Sequence, residues 1–74
     1  MNAAAMRLEF YEWDCGEHQR PPEPIDGLSH RQALAILKAL SAALEQAAQI
    51  RARLIDDGGE AAEYHVTHRR VIAA

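Results

Sequence analysis

Residues 29–57 read SHRQALAILKALSAALEQAAQIRARLIDD, and the folding of this run decides the architecture. Ala33, Leu37, Leu40, Leu44, Ala47 and Leu54 recur at alternating helical spacings, and Ile36, Ala48 and Ile55 widen the stripe. Arg31, Lys38, Glu45, Gln46, Gln49 and Arg53 fall on the opposite side, the pattern of an amphipathic helix. Ser29 is a strong N-cap residue, and Gln32 three positions on completes a capping box, with Leu28 and Ala33 at the staple positions. Asp56-Asp57-Gly58-Gly59 supplies a stop, glycine taking the left-handed cap. The spacing therefore predicts one helix over 29–57, about 42 Å long.

Such a helix outgrows the rest of the chain. The best strand candidate, MRLEFYEWD over 6–14, spans only about 30 Å, so part of the apolar stripe overhangs it. The stripe keeps a heptad-like register, which predicts a homodimer paired through the helix, with Leu37, Leu40, Leu44 and Leu54 at the seam. Arg51 falls at a core position of that register, either as a polar residue that sets alignment or as an arginine snorkelling at the edge.

Outward from the helix, 6–14 is rich in strand-forming residues. Simple alternation places Leu8, Phe10 and Glu12 on one face and Glu9, Tyr11 and Trp13 on the other, so neither face is cleanly apolar. Tyr11 and Trp13 are candidate contact residues for a protein partner. Residues 15–27 carry Pro21, Pro22 and Pro24 and read as an extended connector, pinned by Ile25. Residues 60–73 admit two readings. Tyr64, Val66, Thr67, Val71 and Ile72 favour a strand, whereas Ala61, Tyr64, His68, Val71 and Ile72 would share one side of a short helix in an αα-hairpin. As a strand, its His65, His68, Arg69 and Arg70 complement Glu9, Glu12 and Asp14 of the first. The expected fold is thus α+β: an N-terminal strand, a proline-rich connector, one long helix and a C-terminal strand antiparallel to the first. A two-stranded sheet is marginal alone, so edge-to-edge pairing or helix pairing would complete it.

Composition bounds the rest. The 74 residues make a single small domain over 1–74, with 1–5 expected to fray. Hydrophobic residues are 49% of the chain, which excludes a disordered tail, but alanine dominates them and the core is thin. A net charge of −3 with dispersed basic residues argues against nucleic-acid binding as the main role, leaving Arg69-Arg70 as the one local basic cluster and a nucleic-acid-associated regulator as an alternative. One cysteine permits no intrachain disulfide, and the N-terminus lacks the pattern of a signal peptide. No uncharged stretch approaches a bilayer span. A cytoplasmic protein is expected.

Two constellations have residue types suited to chemistry. Cys15 and His18, with His65 and His68, have the residue types of a Cys-His-His-His zinc site, although His65 and His68 project to opposite faces of a strand. Cys15 with His18 or His65 and Asp14 has the types of a nucleophile, base and orienting group, but no oxyanion turn accompanies them, so no enzyme is expected. The run Leu28-Ser29-His30-Arg31-Gln32-Ala33-Leu34-Ala35-Ile36-Leu37 resembles the capped helix entrances of small bacterial and phage proteins. Taken together, the residues predict a non-enzymatic interaction module, a subunit, adaptor or inhibitor of a larger machine, with a zinc-binding small regulatory protein using Cys15, His18, His65 and His68, or a phage-type inhibitor, as alternatives. Its partner is a protein, it needs no cofactor unless zinc fills the Cys/His set, and its surfaces are the helix stripe, Tyr11 with Trp13, and Arg69 with Arg70.

Overall fold

The helix entrance forms as the residues dictate. In the computed structural model, which describes residues 5–16 and 20–74, the Ser29 hydroxyl accepts from the Gln32 N–H at 3.1 Å. The Gln32 amide oxygen accepts from the Ser29 N–H at 2.9 Å. The helix that follows, α1, runs His30–Ala43 and stops there. Leu44 leaves it in an extended conformation, its N–H still held by Leu40 O at 3.0 Å. After a turn the chain enters a strand, Gln49–Ile55. The single helix over 29–57 is therefore a helix, a turn and a strand.

The physical reason lies in QIRARLI. Ile50, Ala52 and Leu54 alternate with Gln49, Arg51 and Arg53, and the first three are buried while the others are partly exposed. Period two and period 3.6 share positions over so short a run, and the alanines on either side extend the helical reading. Tertiary pairing decides it. The strand lies at the centre of the sheet with neighbours on both sides, and that environment overrides helix propensity. Arg51, anomalous at a helical core position, is regular as the outward residue of a strand. At about 21 Å, α1 is half the expected length and no longer than the central strands β1, β3 and β4.

The first strand, β1, occupies Met6–Asp14. Part of the proline-rich connector forms β2, Ile25–Leu28, and the central strand is β3, Gln49–Ile55. The ambiguous C-terminal stretch is a hairpin, β4 at Ala61–Thr67 and β5 at Arg70–Ala73. The result is an α+β fold: a five-stranded antiparallel sheet in the order β2-β1-β3-β4-β5, with α1 on one face. No αα-hairpin forms. Asp56-Asp57-Gly58-Gly59, read as a helix stop, turns the β3–β4 hairpin instead, with Gly59 at φ +83° and the Asp56 carboxylate accepting from the Glu60 N–H at 2.9 Å.

Because β3 separates β1 from β4, the expected pairing of N-terminal acids with C-terminal bases does not occur. Glu9 and Glu12 face Arg53 and Arg51 of β3 instead. A bulge also corrects the alternation of β1. Phe10 pairs with Ala52, and Glu12 with Arg51, so Tyr11 is the extra residue. Beyond it Trp13 joins Leu8 and Phe10 on the helix side, edge-on to Phe10 at 5.5 Å between centroids, and Glu12 turns out beside Glu9. The mixed faces of MRLEFYEWD become one apolar and one polar face. The core is Leu8, Phe10, Ala33, Leu37, Ile50, Ala52, Leu54 and Val66, with Leu34, Ile36, Leu40, Leu44 and Val71 packed partly against it.

Candidate functional site

α1 covers one face of the sheet and leaves the other open. Strand alternation determines what the open face carries: Glu9 and Glu12 from β1, Gln49, Arg51 and Arg53 from β3, Glu63, His65 and Thr67 from β4, and Arg70 and Ile72 from β5. Tyr11, displaced by the bulge, lies among them and is 41% exposed.

Its surroundings are closely connected. The Arg53 guanidinium lies 4.4 Å from the Tyr11 ring centroid, a cation–π arrangement. The Tyr11 hydroxyl donates to a Glu63 carboxylate oxygen at 3.0 Å, and the other oxygen of Glu63 is 3.6 Å from Arg53 Nε. Phenol, guanidinium and carboxylate thus close a triangle across three strands. Partial desolvation holds the Tyr11 phenol above its ordinary 10.0, and the hydrogen bond to Glu63 and its charge add to the rise. Arg51 and Arg53 oppose it. Around the triangle, Arg51 meets Glu12 at 3.5 Å, and Arg7 meets Glu9 at 2.9 Å and Asp26 at 3.3 Å. His65 Nε2 is 3.0 Å from the Gln49 amide oxygen. Exposed pairs of this kind add little stability. Their effect is to hold long side chains in defined positions around an exposed ring.

The predicted contact residues divide accordingly. Tyr11 and Arg51 lie on the open face. Trp13 is inside the helix-covered face. Leu37 and Leu54 are wholly buried in the chain's own core, and Leu40 and Leu44 are partly buried beside it, so the seam expected for helix pairing is used internally. Arg53, Glu63 and Ile72 were not among the sequence candidates. The signal was present in QIRARLI, since reading its arginines as alternating strand residues puts them on the same face as Tyr11.

The C-terminal candidates serve the fold. His68 Nδ1–H donates to Leu44 O at 2.6 Å, and the Arg69 N–H donates to Ser41 O at 3.0 Å. The β4–β5 turn therefore satisfies carbonyls at the C-terminal end of α1, which no basic residue in its last turn caps. Arg69 adopts φ 59°, a left-handed conformation uncommon outside glycine, to make that contact. Arg70 remains exposed on β5.

Cys15 follows β1 and lines a shallow depression with Trp13, Ala43, Leu44, Glu45 and Ala48. Burial, and then the neighbouring Asp14 carboxylate, push its thiol above the ordinary 9.0, away from the thiolate. Of the candidate zinc set, His18 lies outside the described residues. Cys15, His65 and His68 are not gathered into one cluster, and no metal-holding group of His, Cys, Asp or Glu occurs among the described residues. No described helix is long and apolar enough to cross a membrane. No known family model, curated protein or solved structure matches the chain.

Proposed function

We propose that this chain is a non-enzymatic protein-binding module whose contact surface is the open face of the sheet, centred on Tyr11, Arg53 and Glu63. The observation that carries the reading is the Tyr11 triangle. A half-exposed tyrosine, stacked under an arginine and hydrogen-bonded to a carboxylate, combines two of the three residue types enriched in binding hot spots with little rotamer freedom left to lose. The raised thiol of Cys15 supports a non-catalytic role, because a nucleophilic cysteine needs the opposite shift. Nucleic acid is the weaker reading of this face, since Arg7, Arg51 and Arg53 each lie against a carboxylate. The partner is then a protein with polar and aromatic contacts, and the module a subunit, adaptor or inhibitor within a larger assembly. Its single cysteine accords with a reducing, cytoplasmic setting.

The test is differential capture from the native host. Proteins retained on the wild-type chain are expected to be released, with binding weakened at least about tenfold, by Tyr11→Ala and by Arg53→Ala. Both variants should keep the wild-type far-UV circular dichroism, since neither side chain is in the core. Retention of the same proteins at the same affinity by both variants would remove the open face from consideration.

A further inference from the structure

The two edges of the sheet are unlike. β2 is guarded: Pro24 precedes it, Gly27 sits at φ +76°, its register with β1 is irregular, and Asp26 is tied to Arg7. These features discourage further strand pairing. β5 has no proline, lysine or bulge and carries the exposed Ile72 at its middle, 43% accessible. It is also held firmly, because the turn that leads into it is bonded to Ser41 O and Leu44 O at the end of α1.

Hydrogen-bond parity fixes what this edge offers. The Ala74 N–H donates to Glu63 O at 2.9 Å, so in the antiparallel β4–β5 ladder Ile72 and Arg70 also direct their N–H and C=O groups toward β4. The alternate residues, Val71 and Ala73, direct theirs outward to the free edge.

We propose that β5 is the edge along which two copies of this chain join, antiparallel about a two-fold axis through Ile72, doubling the five-stranded sheet. In that register Val71 of one copy faces Ala73 of the other, and each pair exchanges both of its outward backbone bonds. Ile72 meets Ile72 of the second copy in the close, non-hydrogen-bonded position. Charge supports a second copy as the occupant. Ala74 is level with Glu63 on β4, and the two-fold register places Arg70 of the second copy beside Ala74. Arg70 and Glu63 then share the open face at one level, about 10 Å apart at Cα with only an alanine between them, within reach of two long side chains. The axis repeats this pairing at the other end. The two Arg70 residues lie four positions out of register and roughly 13 Å apart, beyond strong repulsion at ordinary salt. The inference shares Glu63 with the partner-binding reading above, but its backbone ladder does not involve Tyr11, so Tyr11→Ala should leave the dimer in place.

Sedimentation equilibrium of the full chain from micromolar to millimolar concentration tests it. Wild-type protein is expected to show a concentration-dependent dimer. Val71→Pro removes an outward N–H that β4 does not use, and should raise the dimer dissociation constant about a hundredfold with circular dichroism unchanged. Ile72→Lys, which sets two ammonium groups on the axis, should do the same and guards against a proline that merely disturbs the strand. In a Cys15→Ala background, Ile72→Cys should form a disulfide between copies under mild oxidation. A wild-type chain that stays monomeric throughout the range overturns the proposal. So does a dimer that tolerates both Val71→Pro and Ile72→Lys, or one in which the Ile72→Cys variant fails to cross-link.

Discussion

Tyr11 owes its position to one inserted residue. The bulge at Phe10/Glu12 expels it from the alternation of β1, and Arg53 and Glu63 then fix its ring and hydroxyl. Desolvation and the Glu63 carboxylate favour the protonated phenol and outweigh the two arginines, so the folded chain holds that proton more tightly than the unfolded chain does. Stability linked to Tyr11 is therefore fully present below the ordinary 10.0 and is lost as pH rises through the higher folded value. Ultraviolet titration of phenolate should show a component with its midpoint above 10.0 that disappears in Tyr11→Phe. An unshifted midpoint, or one that persists in Tyr11→Phe, would detach Tyr11 from Glu63. The bulge itself had a trace in the sequence. MRLEFYEWD has an acid where strict alternation demands an apolar partner for Leu8 and Phe10, and a tryptophan where it demands a polar one. A single inserted residue resolves both mismatches at once.

The elements differ in how far local chemistry specified them. Ser29 and Gln32 mark the start of α1, and the strand-forming residues of MRLEFYEWD give the bounds of β1. The end of α1 had no local mark. Alanines at 42, 43, 47 and 48 are good helix formers, and neither glycine nor proline separates Ala43 from Gln49. What ends the helix is non-local: the carbonyls of Ser41 and Leu44 are taken by Arg69 and His68 from the β4–β5 turn. The same non-local contact gives His68 and Arg69 a place in the fold that no local pattern announces. It also makes Arg69 a signed test of the turn. At φ 59°, Arg69→Gly should relieve backbone strain and raise stability by about 0.5 kcal/mol after the entropy cost of glycine, whereas Arg69→Val should lower it by more than ~1 kcal/mol. Urea denaturation of the two variants measures both signs. Equal effects would mean that the left-handed conformation is not held in solution.

At the scale of the whole molecule, the question is how so few large side chains maintain five strands and a helix. Among the described residues, the large side chains that are fully buried are Leu8, Leu37, Ile50, Leu54 and Val66, and of these only Leu37 comes from the helix. Ala33 and Ser41, its buried helical neighbours, let α1 approach the sheet closely but contribute little apolar area. Leu37 thus serves as the main anchor between the two layers. A chain of 74 residues has a total stability of about 4–11 kcal/mol, and truncating a fully buried leucine costs about 2–5 kcal/mol. Leu37→Ala should therefore remove up to half of the stability or more, and lower the urea midpoint with little change in slope. Leu40→Ala, one helical turn on and only partly buried, should cost distinctly less. A reversed order would place Leu40 in an interface between molecules, because a side chain that is half open in the single chain can outrank a buried one only if something else covers it. Repeating the comparison over a range of protein concentrations separates these cases, since a cost that arises inside one chain does not change with dilution.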